Sequence, residues 1–291
     1  MKIFRDYDRD GLDKQYVPSN WPRVSAPDII KKWNEMGSGY RDRANVVRDV
    51  RYGESARQCL DLFRSHQSRA APVLIFIHGG YWRGKQLTKG ANCFCVEPLV
   101  DAGMLVAMVE YDLCPDVSMD TIVDQLRRAT VWVWRNVSDY GGDPSRLHVS
   151  GHSAGGHLAA MMAATDWPSH GADLPVDLVR SIIPISGLFE LEPLRLSAIN
   201  DDLRMDAATA KRNSPRDLRP PHEMPITVVV GGSESNEFLR QSAEFAEAWR
   251  PYASEMTHFE TPGHHHFEVI EAMTEADNPL TKTILRHAGV G

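Results

Sequence analysis

From residue 45 onward, short runs rich in β-branched residues alternate with longer segments of helical periodicity. This alternation is typical of a mostly parallel sheet that is covered by helices on both faces. The runs at 73–77 and 226–230 are almost continuously apolar, as expected of central strands buried on both faces. The sequence therefore predicts an α/β fold with an eight-stranded, mostly parallel sheet. The predicted strands are 46–52, 59–63, 73–77, 105–111, 147–150, 181–185, 226–230 and 258–260.

The segments between these runs predict helices, and two stretches stand outside the alternation. Within the first 44 residues, taken as an N-terminal extension, the amphipathic segment 28–36 predicts either a helix packed on the core or a lid over an active site. The segment 188–223 contains four prolines and many charges, and it predicts a small cap insertion that shapes a binding site. The predicted helices are 89–101, 119–138, 154–164, 237–250, 267–273 and 279–287.

Length and composition narrow the class of protein. The 291 residues fit one domain of this type with decorations. Acidic residues outnumber basic ones by 39 to 32, which disfavours nucleic acid as a partner. No segment reaches the ~18 consecutive apolar residues of a membrane span, and none reads as a signal peptide. The four cysteines lack the paired spacing of a metal site and predict reduced thiols in a cytoplasmic protein.

Residues 151–155 read Gly-His-Ser-Ala-Gly, a GxSxG pattern centred on Ser153. A predicted strand enters this pattern and a predicted helix leaves it, which is the geometry of a nucleophile elbow. The flanking glycines let the strand and helix backbones approach closely, and the helix N-terminus offers free N–H groups to an oxyanion. Ser153 is therefore the candidate nucleophile. The alternative is a glycine-rich packing turn that carries an inert serine.

Residues 78–82 read His-Gly-Gly-Tyr-Trp and directly follow a predicted central strand. Glycines at this position allow backbone N–H groups to approach the oxygen on which negative charge develops during acyl transfer. We expect the N–H groups of Gly80, Tyr81 and Ala154 to form an oxyanion hole, with Gly79 turning the loop or donating instead. Trp82 beside this loop is a candidate substrate-binding residue, and core packing is its alternative role.

A serine nucleophile needs a base, and the base needs a carboxylate that orients it. Past the predicted strand 226–230, Glu234 lies in a loop, whereas Glu237 reads as the start of a helix, where acidic residues are common. We therefore predict Glu234 as the acid. The run Gly-His-His-His-Phe at 263–267 supplies the base. His266, which precedes the closing helix, is the first choice and His265 the second, and a metal-binding tract is the alternative for the run.

His152 and His157 flank the candidate nucleophile in the sequence. We expect these two side chains to shape or pack the substrate pocket, as candidate substrate-binding residues together with Trp82, rather than to transfer protons.

Together these residues resemble the α/β-hydrolase superfamily, and more narrowly the arylformamidase (kynurenine formamidase) group of its hormone-sensitive-lipase-like branch. The resemblance covers nearly the whole chain. An aspartate usually stands in that family where Glu234 stands here. The matching segments are LDKQY at 12–16, HGGYW at 78–82, GHSAGGHLAA at 151–160, SNEFLRQS at 235–242 and HF at 266–267.

The resemblance implies an enzyme that hydrolyses N-formyl arylamines such as N-formylkynurenine to formate and a free aryl amine. Ser153 would attack the formyl carbon, His266 would take the serine proton, and Glu234 would hold the imidazole. The resemblance implies no metal and no organic cofactor. The expected partner is a small-molecule substrate, with no membrane, and a homodimer is left open. The alternatives are a carboxylesterase or carbamate hydrolase for small esters, and a non-catalytic ligand-binding protein of the same fold.

Overall fold

Eight strands form one sheet in the computed structural model, which describes residues 1–17, 21, 25–66 and 69–290. Their order across the sheet is β1-β2-β4-β3-β5-β6-β7-β8. β2 is antiparallel to β1 and β4, and the other pairs are parallel. The predicted α/β fold with an eight-stranded, mostly parallel sheet is confirmed. The strands are β1 (Val46–Arg51), β2 (Cys59–Phe63), β3 (Ala71–Ile77), β4 (Leu105–Val109), β5 (Gly142–His152), β6 (Ser181–Ile185), β7 (Met224–Gly231) and β8 (Ala253–Thr261).

Twelve α-helices lie within the described part of the chain, several extended by single 3₁₀ turns. Three of them, α7 to α9, are short and lie in the segment 188–223, which was predicted as a cap insertion. The helices are α1 (Arg9–Tyr16), α2 (Ala26–Arg43), α3 (Lys89–Asn92), α4 (Glu97–Asp101), α5 (Met119–Asn136), α6 (Ala154–Ala163), α7 (Glu192–Arg195), α8 (Asn200–Leu203), α9 (Ala207–Arg212), α10 (Asn236–Trp249), α11 (Glu268–Glu271) and α12 (Pro279–His287). None of these helices has the length and apolar character needed to cross a membrane.

The sheet separates two hydrophobic cores because strand side chains alternate between its faces. In β3, Val73, Ile75 and Ile77 join the core under α5, α6 and α10. Leu74 and Phe76 of the same strand join the core under α2, α3, α4 and α12. All seven residues of β3 are buried, which explains the unbroken apolar run in the sequence.

Three helical predictions needed correction. The predicted helix 89–101 is instead α3 and α4 separated by a 3₁₀ turn at Cys93–Val96. Pro98 lacks an N–H and its ring would clash with the carbonyl four residues earlier, so one continuous helix cannot pass through it. The predicted closing helix 267–273 shortens to α11 and a 3₁₀ turn at Ala272–Thr274. The extension 1–44 holds two helices rather than one, because α1 was missed.

α1 was not predicted because its sequence contains few apolar residues at helical spacing. Only Leu12 and Tyr16, one helical turn apart, are buried in it. The helix begins with an N-cap, since the Asp8 carboxylate accepts a hydrogen bond from Gly11 N at 2.9 Å. Tyr16 then ties α1 to α10, because its hydroxyl donates to Glu237 at 2.7 Å.

The parallel strands carry the predicted site to one edge of the sheet. β3, β5, β7 and β8 end at Ile77, His152, Gly231 and Thr261, and each is followed directly by one of the loops singled out in the sequence. β3 is adjacent to β5, and β7 to β8, with β6 between the two pairs. In parallel α/β sheets, ligands bind at the carboxyl edge of the strands, which makes this edge the candidate site.

Candidate active site

Ser153 occupies a strained turn between β5 and α6. Its backbone has φ 58° and ψ −118°, a combination that non-glycine residues adopt only where surrounding contacts enforce it. One such contact is the hydrogen bond from Ser153 N to Ile185 O at 2.8 Å. A Cβ on Gly155 would lie 2.0 Å from Ile77 O, so the close approach of α6 to β3 requires glycine there. This geometry is the elbow predicted from the GxSxG pattern.

His266 and Glu234 form a buried pair on the neighbouring loops. The imidazole Nδ1 lies 2.6 Å from Glu234 Oε2, and the two side chains are only 3% and 0% exposed. The other oxygen, Oε1, accepts hydrogen bonds from Gly231 N at 2.8 Å and from Ser186 Oγ. These bonds fix the carboxylate, so Nδ1 carries the proton that it donates to Glu234. Nε2 is left as the nitrogen that can act as a base.

Backbone hydrogen bonds join the loop of the acid to the loop of the histidine. Gly232 N donates to Thr261 O at 2.9 Å, and Ser233 N donates to His264 O at 3.0 Å. A third hydrogen bond joins the elbow to the histidine loop, since His152 Nε2 lies 2.7 Å from His266 O. Burial, reinforced by the neighbouring His266, holds the pKa of His152 well below its usual value, so His152 is neutral and donates this bond.

The alternative acid, Glu237, and the second choice for the base, His265, have other partners. Glu237 is buried in α10 and accepts two hydrogen bonds from Arg240, at 2.9 and 2.6 Å, besides the one from Tyr16. His265 is a quarter exposed and faces Glu268, with Nε2 3.6 Å from its carboxylate. The structure therefore brings together the first choice for each role, Glu234 and His266, and not the alternatives.

The loop after β3 lies against the elbow. Gly80, Tyr81 and Trp82 have positive φ angles of 111°, 50° and 55°, and a Cβ on Gly79 would lie 2.9 Å from His152 O. The N–H groups of Gly80, Tyr81 and Ala154 donate to no other residue in the described part of the chain. Three unpaired donors beside a strained serine are the arrangement that an oxyanion hole requires.

Two residues that were not predicted as part of the site, Glu110 and Tyr111, hold this loop through His78. His78 Nε2 lies 3.0 Å from Glu110 Oε1, and the imidazole stacks on Tyr111 with ring centroids 4.4 Å apart. The Tyr111 hydroxyl donates to His78 O at 2.9 Å. Burial raises the pKa of Glu110, but His78 and Arg57 together hold it below its usual value. Glu110 and Tyr111 both lie within the predicted strand 105–111. Their position at the carboxyl edge of the sheet, beside β3, could have indicated their role in the site.

A cavity of about 330 Å³ opens beside Ser153 and His266. Gly80 and Tyr81 of the loop line it, as does His152. α2 supplies an apolar wall through Ala26, Ile30 and Trp33, and Phe267 completes an aromatic corner. The segment 28–36, predicted as a packing helix or a lid, thus packs on the core through buried Trp33 and also encloses the site. Its helix runs from residue 26 to 43 and is longer than predicted.

The structure corrects the prediction that Trp82 and His157 bind substrate. Neither lines the cavity. Both are fully buried and contact each other edge to face, with ring centroids 4.9 Å apart. The neighbouring Tyr81 lines the cavity, whereas Trp82 lies in the core. His157 Nε2 donates to Asn213 O at 2.8 Å, and burial lowers its pKa to about 4.

His157 should make folding stability depend on pH. Its folded pKa of about 4 lies below the ordinary histidine value of about 6.5, so the unfolded state binds the proton more readily. Its contribution is fully present above pH 6.5 and declines as the pH falls towards 4. We expect about 2 kcal/mol of this loss by pH 5. In His157→Gln, whose amide still donates to Asn213, urea unfolding at pH 7 and pH 5 should show a correspondingly smaller difference. An unchanged difference would contradict the assignment.

No cluster of three or more histidine, cysteine or acidic side chains within the described ranges is placed to hold a metal ion. The four cysteines, Cys59, Cys93, Cys95 and Cys114, are free and buried.

A serine elbow, a histidine–carboxylate pair and unpaired backbone donors at the carboxyl edge of this sheet define the serine hydrolases of the α/β-hydrolase fold. A family model described as BD-FAE matches residues 60–176. A solved structure of a proposed thioesterase from Silicibacter sp. TM1040 superimposes with a TM-score of 0.82 at 29% identity, over 94% of this chain and 98% of that one.

Two curated relatives show the family to which the chain belongs. The kynurenine formamidase of Salmo salar is 34% identical over 99% of both chains. That of Danio rerio is 33% identical with the same coverage. The chain belongs to the kynurenine formamidase family and is a hydrolase, so the resemblance drawn from the sequence motifs is confirmed.

Proposed function

We propose that the protein is an arylformamidase that hydrolyses N-formyl arylamines, such as N-formylkynurenine, to formate and the free aryl amine. Its relatives named kynurenine formamidase support this substrate class. The observation that carries the proposal is the buried His266–Glu234 hydrogen bond at the wall of the cavity that Ser153 also lines. Free cysteines support a reducing compartment, and we place the enzyme in the cytoplasm.

The reaction follows from the atoms at the cavity wall. Ser153 Oγ attacks the formyl carbon while His266 Nε2 takes its proton, and Glu234 stabilises the imidazolium through Nδ1. The oxyanion accepts hydrogen bonds from the N–H groups of Gly80, Tyr81 and Ala154. His266 then protonates the departing aryl nitrogen, which leaves formyl-Ser153. Water attacks this ester by the reverse proton route and releases formate.

The cavity dimensions support a small acyl group on a flat leaving group. At about 330 Å³ it lies near the lower end of ligand pockets, which span roughly 300–1,000 Å³. Trp33, Tyr81 and Phe267 line it with aromatic surface. One substituted benzene ring fits such a space, and aromatic walls favour it over an extended acyl chain.

A carboxylesterase for small esters is the second candidate. The same serine, histidine and donors would cleave an ester, and the structural relative described as a proposed thioesterase favours this reading. A non-catalytic binding role is disfavoured because all three positions of the site are occupied by residues with the required chemistry.

Substrate comparison tests the proposal. We expect kcat/KM for formate release from N-formylkynurenine to exceed that for hydrolysis of p-nitrophenyl acetate by the same preparation. The leaving aryloxide of the ester is intrinsically better, so a preference for the formamide can arise only from binding in the cavity. A strong preference for the ester would instead establish the carboxylesterase.

A further inference from the structure

The cavity described above has one pair of opposite charges on its wall. Apart from the histidines beside Ser153, its lining in the described residues is apolar or backbone, with the exception of Arg83 and Asp202. The two side chains form an ion pair and are 33% and 46% exposed. They therefore mark the open mouth of the cavity rather than its buried end.

Two separate elements hold these charges in place. Arg83 directly follows the loop 80–82, and its N–H donates to Gly80 O at 3.0 Å. Asp202 belongs to α8 in the insertion 188–223. The side chain of Asn200, the first residue of α8, accepts a hydrogen bond from Met205 N at 2.8 Å and so fixes the backbone that follows the helix. The segment 188–223 thus contributes a charged side chain to the cavity wall.

The pair retains unused hydrogen-bonding capacity. Arg83 donates to Asp202 through Nη1, while its Nε and Nη2 meet no acceptor among the residues described. Asp202 accepts through Oδ2, and Oδ1 is likewise without a donor there. An exposed ion pair contributes little to folding stability. Its free guanidinium edge and free carboxylate oxygen are instead complementary to a ligand that carries both a carboxylate and an ammonium group.

We propose that Arg83 and Asp202 bind the α-carboxylate and the α-ammonium group of the substrate, and so select N-formyl aryl amino acids over neutral N-formyl arylamines. This inference rests on the proposed function and specifies its substrate class. The aromatic cavity alone would accept any aryl formamide. The charge pair at its mouth adds recognition of the amino-acid end, while the formamide reaches Ser153.

Three substrates distinguish the contribution of Arg83 from that of Asp202. N-formylkynurenine carries both groups, its methyl ester keeps only the ammonium, and N-formylaniline has neither. Arg83→Met should lower kcat/KM for N-formylkynurenine by about 10- to 100-fold, mainly through KM, because a hydrogen bond between charged groups is lost. The same variant should change the other two substrates by less than about threefold. Asp202→Asn should weaken N-formylkynurenine and its methyl ester, but not N-formylaniline.

Arg195→Met provides a matched control. Arg195 forms an ion pair with Glu192, the two side chains are 27% and 39% exposed, and neither lines the cavity. Its loss should leave kcat/KM for all three substrates unchanged. Formate release should be followed in wild type and variants. An equal loss for N-formylkynurenine and N-formylaniline, or no loss for either, would overturn the charge-pair inference alone. A wild type that hydrolyses p-nitrophenyl acetate but neither formamide would overturn the proposed function and this inference together.

Discussion

Ser153→Ala should lower kcat for formate release by about 10⁴-fold or more, because Ser153 is the only serine or threonine among the described residues that line the cavity. The variant should remain folded. Alanine has the same Cβ as serine, so it adopts the strained φ of 58° at similar cost, and the N–H of residue 153 still donates to Ile185 O. The measurement is kcat for formate release, with urea unfolding of the same preparation.

Ser150→Ala is the matched control for this substitution. Ser150 lies three residues earlier in β5 and is buried, and its hydroxyl donates to Ile183 O at 2.6 Å. Removing that hydroxyl should reduce stability by about 1 kcal/mol and leave kcat within a few-fold of wild type. If Ser153→Ala retained wild-type formate release, the nucleophile would have to be another group.

Glu234→Ala should have the second largest effect, a loss of about 10³- to 10⁴-fold in kcat. Without the carboxylate, His266 loses the acceptor 2.6 Å from Nδ1. The imidazole is then free to take the tautomer that places its proton on Nε2, which cannot accept one from serine. Glu234→Asp restores a carboxylate on a shorter side chain and should recover part of the activity.

Glu237→Ala should show the opposite pattern. Glu237 lies in the same segment and is equally buried, but its partners are Arg240 and Tyr16 rather than a histidine. Arg240 keeps Glu190 and Glu244, each at 2.8 Å, so its charge stays paired. We therefore expect a loss of about 2 kcal/mol in unfolding free energy and little change in kcat. Saturating kinetics and urea unfolding on both variants distinguish the roles. The acid assignment fails if the two effects are exchanged.

The strands were predictable where one apolar run makes one strand. β2 and β6 have the predicted bounds, since each is a short run buried along its whole length. β5 extends five residues further towards the N-terminus than predicted, because Gly142 pairs with Ala71 of β3. The sequence Gly-Asp-Pro at 142–144 reads locally as a turn, and pairing with a neighbouring strand overrides that preference.

Chain order predicted the core of the site, because parallel strands deliver their loops to one edge of the sheet. The sequence therefore predicts Ser153, Glu234 and His266 as the candidate nucleophile, acid and base. The direction of each side chain could not be predicted in this way, since it depends on backbone angles that the sequence does not display. Tyr81 and Trp82 are adjacent and have similar φ angles of 50° and 55°, yet only Tyr81 lines the cavity. The pairing of Arg83 with Asp202, 119 residues apart, depends likewise on tertiary structure.

Covalent labelling tests the assigned nucleophile most directly. A fluorophosphonate phosphonylates a serine only where a base activates it and an oxyanion hole receives the phosphoryl oxygen. Intact mass spectrometry with peptide mapping should find one adduct per chain, on Ser153, with formate release falling in proportion to labelling and no adduct in Ser153→Ala. An unlabelled wild-type chain, or an adduct on a different residue that accounts for the lost activity, would contradict the mechanism.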